Sequence, residues 1–332
     1  MTDADLSGRD AKNSGETAEG VVVRAGRGLY TVQTGTGRIL PCRLRGNLKK
    51  AITYTAVGDR RRVEKVKKLR ETDPVSIGDQ VEITVEESGR AGVITAILPR
   101  RSALVRRSGN ERERQTLVAN LDLAVIVFAA GEPRVDPWKL DRFLVLTEDA
   151  EVHSLIVLNK ADRADAETIA PILASYRAIG YEVILTSAYT GDGLEALKAR
   201  LKGTISAFLG PSGVGKSTLL NALQPGLALK TGSVGETSFK GRHTTVQAEL
   251  LPLTFGGWVA DTPGLRQVEF WDLPLEDIGF CFPEIAPHMG QCRFANCKHR
   301  QEPGCAVRAA VERGEMQQRR YESYLEMTKA AV

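Results

Sequence analysis

The chain has 332 residues, which is long enough for two or three domains, and its 42% apolar content is sufficient for buried cores. No apolar run approaches the roughly 20 residues of a membrane helix, and the acidic N-terminus resembles neither a signal nor a transit peptide. The net charge of +4 is small, but it is unevenly distributed. Because no targeting segment is present, we expect a cytoplasmic protein, and in that reducing compartment its five cysteines are not expected to form disulfides. We also expect a monomer without membrane contact.

The N-terminal part of the chain combines short strands with a basic charge. Residues 1–18 are polar and are predicted to be a disordered tail. Residues 19–105 are predicted to form an OB-fold barrel, because glycines separate five β-type runs at 21–23, 29–32, 38–40, 81–85 and 93–98. From 19 to 101 there are 17 Lys/Arg against 9 Asp/Glu. This excess can be a solvated face, but in one small β-domain it favours binding to RNA through phosphate contacts.

Residues 106–277 have an α/β texture. Apolar strands are predicted at 121–128, 154–158, 181–185, 204–209, 246–253 and 257–260. Helices are predicted at 137–150, 165–179, 193–201 and 216–224. This alternation predicts a mainly parallel sheet with helices on both faces.

A phosphate-binding loop of the form G-x-x-x-x-G-K-S lies between the strand at 204–209 and the helix at 216–224. Its glycines let backbone N–H groups converge on phosphate, and the helix dipole adds positive potential. Lys216 is expected to reach the β- and γ-phosphates, and Ser217 to ligate Mg²⁺. The alternative, a glycine-rich turn, is disfavoured by the complete motif and both flanks. The predicted phosphate contacts are Gly210, Pro211, Ser212, Gly213, Val214, Gly215, Lys216, Ser217 and Thr218.

The sequence N-K-x-D follows the strand at 154–158 and predicts recognition of guanine. The Asp162 carboxylate would accept hydrogen bonds from guanine N1–H and its 2-amino group, two donors that adenine lacks. Asn159 would hold the loop together, and the Lys160 stem would cover the base. Ser187 and Ala188 follow the next strand, where a backbone N–H is expected to bond guanine O6.

The sequence D-x-x-G after the strand at 257–260 is typical of a γ-phosphate sensor. Asp261 would hold Mg²⁺ through water, and the Gly264 amide would bond the γ-phosphate. Thr244 or Thr245 would close over Mg²⁺ from a loop rich in Gly, Ser and Thr; the sequence does not choose between them. The guanine motif precedes the phosphate loop, whereas it follows it in ordinary GTPases. The chain therefore predicts a circularly permuted GTPase.

Leu265 follows D-x-x-G, where Ras-like enzymes carry a glutamine that positions the attacking water. A leucine cannot orient water, so slow intrinsic hydrolysis is expected. His243 is the nearest chemical substitute. The alternative role for His243, as a surface or RNA-contacting residue, remains open.

Residues 278–332 contain a cysteine cluster followed by helical periodicity over 306–327. Cys292, Cys297, His299 and Cys305 form a Cys₃His set suited to one tetrahedral Zn²⁺. Their 14-residue window cannot form its own core, so the metal would be structural and would hold the fold. Cys42 and Cys281 are predicted to pack in cores, and His288 is a spare ligand candidate.

Taken together, the permuted motifs, the segment G-R-H-T-T at 241–245 and the cysteine cluster resemble the ribosome-small-subunit-dependent GTPase A family, RsgA or YjeQ. The resemblance implies an OB domain, a permuted GTPase domain and a zinc domain. It also implies late maturation of the small (30S) ribosomal subunit, rRNA contacts, hydrolysis stimulated by the subunit, and a water-positioning role for His243. Residues 47–72 depart from the family by being longer and more basic, and Leu265 replaces a more usual phenylalanine.

Two other functions compete with a GTPase switch. A P-loop ATPase or small-molecule kinase would share the phosphate loop, but Asp162 argues against an adenine site. An RNA-binding module that uses nucleotide only as a structural ligand is kept open by Leu265.

Overall fold

Three units build the molecule: a β-barrel, an α/β sheet and a C-terminal pair of helices. The computed structural model describes residues 16–26, 28–46, 48, 70–71, 74–108, 113–227, 248–262 and 274–329. Outside these residues lie the predicted tail to residue 15, most of the basic stretch 47–72, His243, Thr244, Thr245, Gly264 and Leu265.

The N-terminal unit is a closed five-stranded barrel. The strands of this part are β1 (Thr17–Gly26), β2 (Leu29–Thr34), β3 (Ile39–Leu44), β4 (Arg70–Glu71), β5 (Gln80–Val85) and β6 (Gly92–Ile97). β1 pairs antiparallel with β2 and β5, β2 with β3 and β5 with β6, while β3 runs parallel to β6. Alternate apolar residues, such as Leu40, Cys42 and Leu44 of β3, point into the core. The predicted OB-fold is confirmed, and Cys42 is a packing cysteine.

A β-hairpin follows the barrel in a stretch for which the sequence predicted no strands. Its strands are β7 (Ala103–Ser108) and β8 (Glu113–Ala119), and β4 pairs with β8. The Arg100 guanidinium binds the fully buried Asp79 carboxylate through two bonds of 2.7 and 2.8 Å. At Gly78, a Cβ would lie 2.0 Å from the Ala119 carbonyl oxygen, so the glycine permits direct backbone contact. The contact of Gly78 with Ala119 and the bond from Arg100 Nη1 to Thr116 Oγ1 at 3.0 Å fix the hairpin against the barrel.

The α/β unit is the predicted parallel sheet. Its strands are β9 (Leu123–Ala129), β10 (His153–Asn159), β11 (Glu182–Leu185), β12 (Ile205–Leu209), β13 (Ala248–Pro252) and β14 (Trp258–Asp261). Its helices are α1 (Pro137–Asp149), α2 (Ala166–Ala178), α3 (Leu194–Leu201) and α4 (Lys216–Leu223). The strand order is β11-β10-β9-β12-β14-β13, and only β13 is antiparallel.

β9 is buried along its whole length because both faces of the sheet are covered. Side chains on one face pack under α1 and α2, and those on the other pack under α3 and α4. The predicted two-sided arrangement is therefore confirmed. The barrel continues this sheet: β1 pairs with β13, and Arg24 Nε donates to Glu249 Oε1 at 2.7 Å.

The C-terminal unit consists of short turns and two helices. Single 3₁₀ turns span Ile278–Cys281 and Ala286–His288, and α5 (Ala306–Glu312) and α6 (Gln318–Met327) follow. The predicted helical stretch 306–327 is thus divided, because Gly314 adopts φ +74° and ends the first helix. Cys281 is buried in the core of this unit, which also contains Val145 of α1. None of the helices in the described residues has the length and apolarity to cross a membrane.

Candidate nucleotide site and metal centre

The predicted nucleotide motifs meet at one edge of the sheet. The phosphate loop follows β12, Asn159 ends β10, Ser187 follows β11 and Asp261 ends β14. All four strands are parallel, so their carboxyl ends lie together. Ligands of open α/β sheets bind at this edge. The structure therefore brings together motifs that are spread over about 100 residues of sequence.

The phosphate loop adopts a backbone that its glycines require. Gly210, Gly213 and Gly215 have φ values of +130°, +81° and +95°. A Cβ on Gly210 would lie 2.1 Å from the Val127 carbonyl oxygen, and one on Gly215 would lie 2.5 Å from Asn159 Nδ2. Any side chain at either position would push the loop off the sheet. The sequence explained these glycines by the close approach of backbone N–H groups to phosphate. The structure adds a second reason, which is close packing against β9 and Asn159.

The side chain of Lys216, the first residue of α4, folds back over the phosphate loop that precedes it. Its Nζ donates to the carbonyl oxygens of Gly210 and Pro211, both at 2.7 Å. Val214, which is 1% exposed, anchors the loop in the core beneath α4. The ammonium group is thus held at the centre of the loop, within reach of an anion bound there.

Asn159 and Lys160 hold the phosphate loop directly. Asn159 Nδ2 donates to the Val214 carbonyl at 3.1 Å, and Lys160 Nζ donates to the Gly213 carbonyl at 2.8 Å. Lys160 Nζ also donates to the Glu132 carbonyl at 2.7 Å. The motif assigned to the base and the loop assigned to the phosphates are therefore one hydrogen-bonded assembly. No sequence signal marks Glu132, because its contribution is a backbone oxygen.

The other side of Asn159 binds the Ser187–Ala188 loop. Asn159 Oδ1 accepts from the Ala188 N–H and from the Thr186 hydroxyl, both at 3.3 Å. Asn159 is 2% exposed, so these bonds are shielded from water. Thr186 is a supporting residue that no sequence motif marks.

Asp162 is oriented by Ser187. The Ser187 hydroxyl donates to Asp162 Oδ1 at 2.6 Å, and Arg163 Nε lies 3.5 Å from Oδ2. The hydrogen bond from Ser187 is the main reason that the pKa of Asp162 is lowered, and the Arg163 charge adds to it. Ser187 Oγ also accepts from the Thr190 N–H at 3.1 Å, which fixes the hydroxyl. The carboxylate is consequently ionised and held at the sheet edge.

The predicted Mg²⁺ ligands fall into two groups. Ser217 lies in the first turn of α4, and Asp261 ends β14, the strand beside β12. Both are therefore on the phosphate side of the sheet edge. Thr244, Thr245, Gly264 and His243 lie outside the described residues.

The four predicted metal ligands converge. Their donor atoms all lie within 4.8 Å of one another. His299 Nδ1 is 3.4 Å from both Cys292 Sγ and Cys305 Sγ, and these two sulfurs are 3.9 Å apart. Tetrahedral zinc with bonds of about 2.3 Å separates its sulfur ligands by roughly 3.8 Å. The cluster therefore fits a tetrahedral metal ion, and Nδ1 is the His299 nitrogen that faces the two sulfurs. His288 is not part of it; its Nε2 lies 3.7 Å from Glu315.

Backbone groups support the metal ligands. The N–H groups of His299, Ala306 and Arg308 point at the sulfurs of Cys297, Cys292 and Cys305, at 3.4, 3.4 and 3.5 Å. Burial lowers the pKa of His299, which favours the neutral imidazole that binds metals. Burial raises the pKa of Cys297 to about 12 and raises that of Cys305, so the protein alone does not stabilise thiolates there. A bound cation would supply the missing charge.

Glu302 organises the loop between His299 and Cys305. Its carboxylate accepts from the N–H groups of Lys298, Arg300 and Gln301 at 2.8, 2.9 and 3.0 Å. These hydrogen bonds, of which the one from the Lys298 N–H has the largest effect, lower the pKa of Glu302 to about 2. The sequence offered no sign of this role, since the partners are backbone groups.

The nucleotide-binding motifs occur in permuted order, lie at a single sheet edge and follow a β-barrel in the chain. Together these features define a circularly permuted GTPase. The family model for the RsgA GTPase matches residues 97–271, and that for the RsgA N-terminal domain matches residues 19–70. The chain therefore belongs to the RsgA family of GTPases.

Individual relatives agree with this assignment over nearly the whole chain. The small ribosomal subunit biogenesis GTPase RsgA of Gemmatimonas aurantiaca is 44% identical over 310 residues, which cover 93% of this chain and 95% of the relative. The protein of that name from Moorella thermoacetica is also 44% identical, over 92% of this chain and 95% of the relative. Two solved structures are similar as well. YjeQ from Thermotoga maritima has a TM-score of 0.75, 35% identity and coverage of 95% and 98%. YloQ, described as a circularly permuted GTPase, has a TM-score of 0.70, 32% identity and coverage of 97% of each chain.

Proposed function

We propose that this GTPase binds the small ribosomal subunit and acts as a nucleotide-controlled switch in its late maturation. The supporting observation is the direct grip of Asn159 and Lys160 on the phosphate loop, which makes base recognition and phosphate binding parts of one site. The curated relatives are named as small ribosomal subunit biogenesis GTPases. The shared fold and the matching motifs support the same role for this chain.

In the proposed complex, GTP lies along the carboxyl edge of the sheet. Asp162 reads guanine N1–H and the 2-amino group, the Ala188 N–H bonds O6, and the Lys160 stem covers the base. The backbone N–H groups between Gly210 and Thr218, Pro211 excepted, surround the phosphates, and Lys216 Nζ exchanges its two carbonyl partners for phosphate oxygens. Ser217, Asp261 and either Thr244 or Thr245 would hold Mg²⁺, which neutralises charge on the phosphates.

Hydrolysis requires water to attack the γ-phosphorus in line with the β–γ bridging oxygen. The new O–P bond forms as the bridging bond breaks, GDP leaves with the electron pair, and the water proton passes to the phosphate product. Leu265 cannot orient this water, so we assign that role to His243 in the subunit-bound state. His243→Ala should lower the stimulated rate while nucleotide affinity is unchanged; equal stimulated rates would remove this role.

The flanking units are proposed to contact rRNA. We assign the polar N-terminus to a tail, residues to 105 to the RNA-binding barrel, 106–277 to the GTPase domain and 278–332 to a domain held by one structural zinc ion. Thr17 and Ala18, within the predicted tail 1–18, belong to β1, so the barrel begins earlier than predicted. The boundary at 105 falls within β7, so the hairpin belongs to the junction. The protein is proposed to act as a cytoplasmic monomer.

The test is GTP hydrolysis by the full-length protein with and without isolated small subunits. We expect slow turnover alone, strong stimulation by the subunit, and tighter subunit binding with a non-hydrolysable GTP analogue than with GDP. Preferential binding of ATP would favour a P-loop ATPase or kinase. Binding of GTP without single-turnover hydrolysis, even on the subunit, would favour the RNA-binding module.

A further inference from the structure

An exposed pair, Arg293 and Phe294, lies on the metal loop between the first two cysteine ligands. We propose that this pair is a stacking platform for an unpaired RNA base, and that the basic residues beside it hold the adjoining phosphates. The inference rests on the proposed function, which supplies RNA as the partner. It adds a residue-level site and a mode of recognition.

The pair has the geometry of a platform. Phe294 is 42% exposed, and the Arg293 guanidinium carbon lies 5.6 Å from the centre of its ring. A guanidinium and an aromatic ring at this distance attract each other, and both surfaces stack readily on nucleobases. In the chain alone, much of this ring surface faces water. A base stacked on it would bury that surface.

The metal loop holds the pair in place. The Arg293 N–H donates to the Gly304 carbonyl at 3.0 Å, and the Cys297 N–H donates to the Phe294 carbonyl at 3.2 Å. Gly304 has φ +71°, and a Cβ there would lie 3.0 Å from Arg293 Cβ, so the arginine crosses closely over this glycine. Both backbone anchors lie within the span of the four ligands. An ordered platform loses little conformational entropy when a base binds.

The surrounding charge suits phosphate. Residues 291–304 include the exposed Lys298 and Arg300 in addition to Arg293. The single carboxylate of this stretch, Glu302, is engaged by three backbone N–H groups. The turn closed by the Cys297 N–H connects Phe294 to Lys298, four residues further along the chain. An RNA strand would therefore meet a ring flanked by cations.

A second exposed phenylalanine of the same unit lacks these features. Phe280 is 45% exposed, but its sequence neighbourhood contains Glu276, Asp277 and Glu284. Acidic side chains repel phosphate, so exposure alone does not make Phe280 a base platform. It is a matched control for Phe294.

The site favours single-stranded RNA over a duplex or a protein. Stacking on Phe294 requires a base with a free face, whereas duplex bases are already stacked on one another. A protein partner would more often cover a wider apolar patch than a single ring surrounded by cations.

The experiment uses full-length, metal-loaded protein and a fluorescent decamer of single-stranded RNA. Phe294→Ala should weaken binding about tenfold, as loss of one stacked base does. Phe294→Tyr should restore it, Arg293→Ala should weaken it, and Phe280→Ala should leave it unchanged. Equal zinc content and equal unfolding midpoints establish that the variants fold. A blunt duplex of the same length should show no dependence on residue 294.

Because the barrel is also proposed to bind RNA, a second measurement isolates this site. A decamer carrying 5-iodouridine should photocrosslink to Phe294, which mass spectrometry of the peptide identifies. Absence of that crosslink would overturn the proposal. Full RNA affinity of Phe294→Ala, with crosslinking at other sites unchanged, would also overturn it. Loss of subunit affinity in Phe294→Ala together with full affinity for the RNA decamer would indicate a ribosomal protein instead.

The two proposals fail separately. Subunit-stimulated hydrolysis by the wild-type protein, together with no crosslink at Phe294, would reject the stacking site and leave the switch function standing. Lack of stimulation by the subunit would reject the switch function whatever the oligonucleotide shows.

Discussion

Arg320 and Asp141 form a 2.7 Å ion pair in which the arginine side chain is 1% exposed and the carboxylate is fully buried. The two residues are 179 positions apart and join α6 to α1. Glu284 accepts two further bonds from Arg320, at 2.6 and 3.1 Å, and Arg319 donates to Asp141 at 2.7 Å. Two cations and two anions thus neutralise each other inside the contact between the C-terminal unit and the GTPase domain.

Arg320→Ala should destabilise the protein strongly. It removes both hydrogen bonds to the buried Glu284 carboxylate and leaves Asp141 with Arg319 as its remaining cation. It also removes the guanidinium that lies 4.5 Å from the centre of the Phe282 ring. Breaking a buried pair by removing one member costs about 3–5 kcal/mol, which chemical denaturation would measure. Lys329→Ala, which breaks an exposed pair, is the control and should change stability by less than about 1 kcal/mol. Similar effects of the two substitutions would show that burial does not determine how much an ion pair contributes to the free energy of unfolding.

Asp162→Asn should exchange guanine for xanthine specificity. The carboxylate is expected to accept two hydrogen bonds from guanine, whereas an amide can donate to the C2 oxygen of xanthine. We expect GTP affinity to fall by at least about 100-fold, since sites built on a charged hydrogen bond discriminate strongly. Titration with GTP and xanthosine triphosphate measures the change. An unaltered GTP affinity would rule out base recognition by this residue.

Ser187→Ala should make GTP binding more sensitive to acid. The Ser187 hydroxyl lowers the pKa of Asp162, so the ionised carboxylate persists to lower pH than it otherwise would. Binding that depends on this carboxylate is present above its pKa and is lost as the pH falls through it. Without the hydroxyl the pKa rises, and the acid limb of GTP affinity should move to higher pH. Thr168→Ala, on the exposed first turn of α2, is the control and should leave the limb in place.

Cys297→Ala should remove the metal and loosen the C-terminal unit. Metal analysis of wild-type protein purified without chelator should give one zinc per chain, and the variant should have almost none. Because the phosphate loop and Asp162 lie on the sheet edge, GTP affinity should be little affected. Amide exchange should accelerate in α5 and in 292–305 while β9 stays protected. Wild-type protein that contains no zinc would contradict the assignment of the metal.

Local patterns predicted much of the fold and the site, because their signals lie within short stretches. The phosphate loop, N-K-x-D and the Cys₃His set each combine spacing with a distinctive chemistry, and the structure places their described members at the expected strand ends and in one cluster. The hairpin of β7 and β8 escaped prediction, since the arginines around 106–114 obscure its alternation. The break at Gly314 was equally hidden within a periodic stretch. Contacts between distant residues, such as Lys160 with the Glu132 carbonyl or Arg320 with Asp141, leave no trace in sequence spacing.

The pairing of β1 with β13 has a mechanical consequence. β13 directly follows residues 228–247, the stretch that contains the predicted threonine switch, while the C-terminal unit is anchored on α1 at a different part of the sheet. A shift of β13 would therefore carry the barrel through main-chain hydrogen bonds and leave the metal-bearing unit in place. We expect the distance between the barrel and the C-terminal unit to differ between the GTP and GDP states. Only one of the two states would then match two contact points that are fixed on a larger particle. Distances between labels on the outer barrel and on α6 should change with nucleotide, and an identical span in both states would contradict this arrangement.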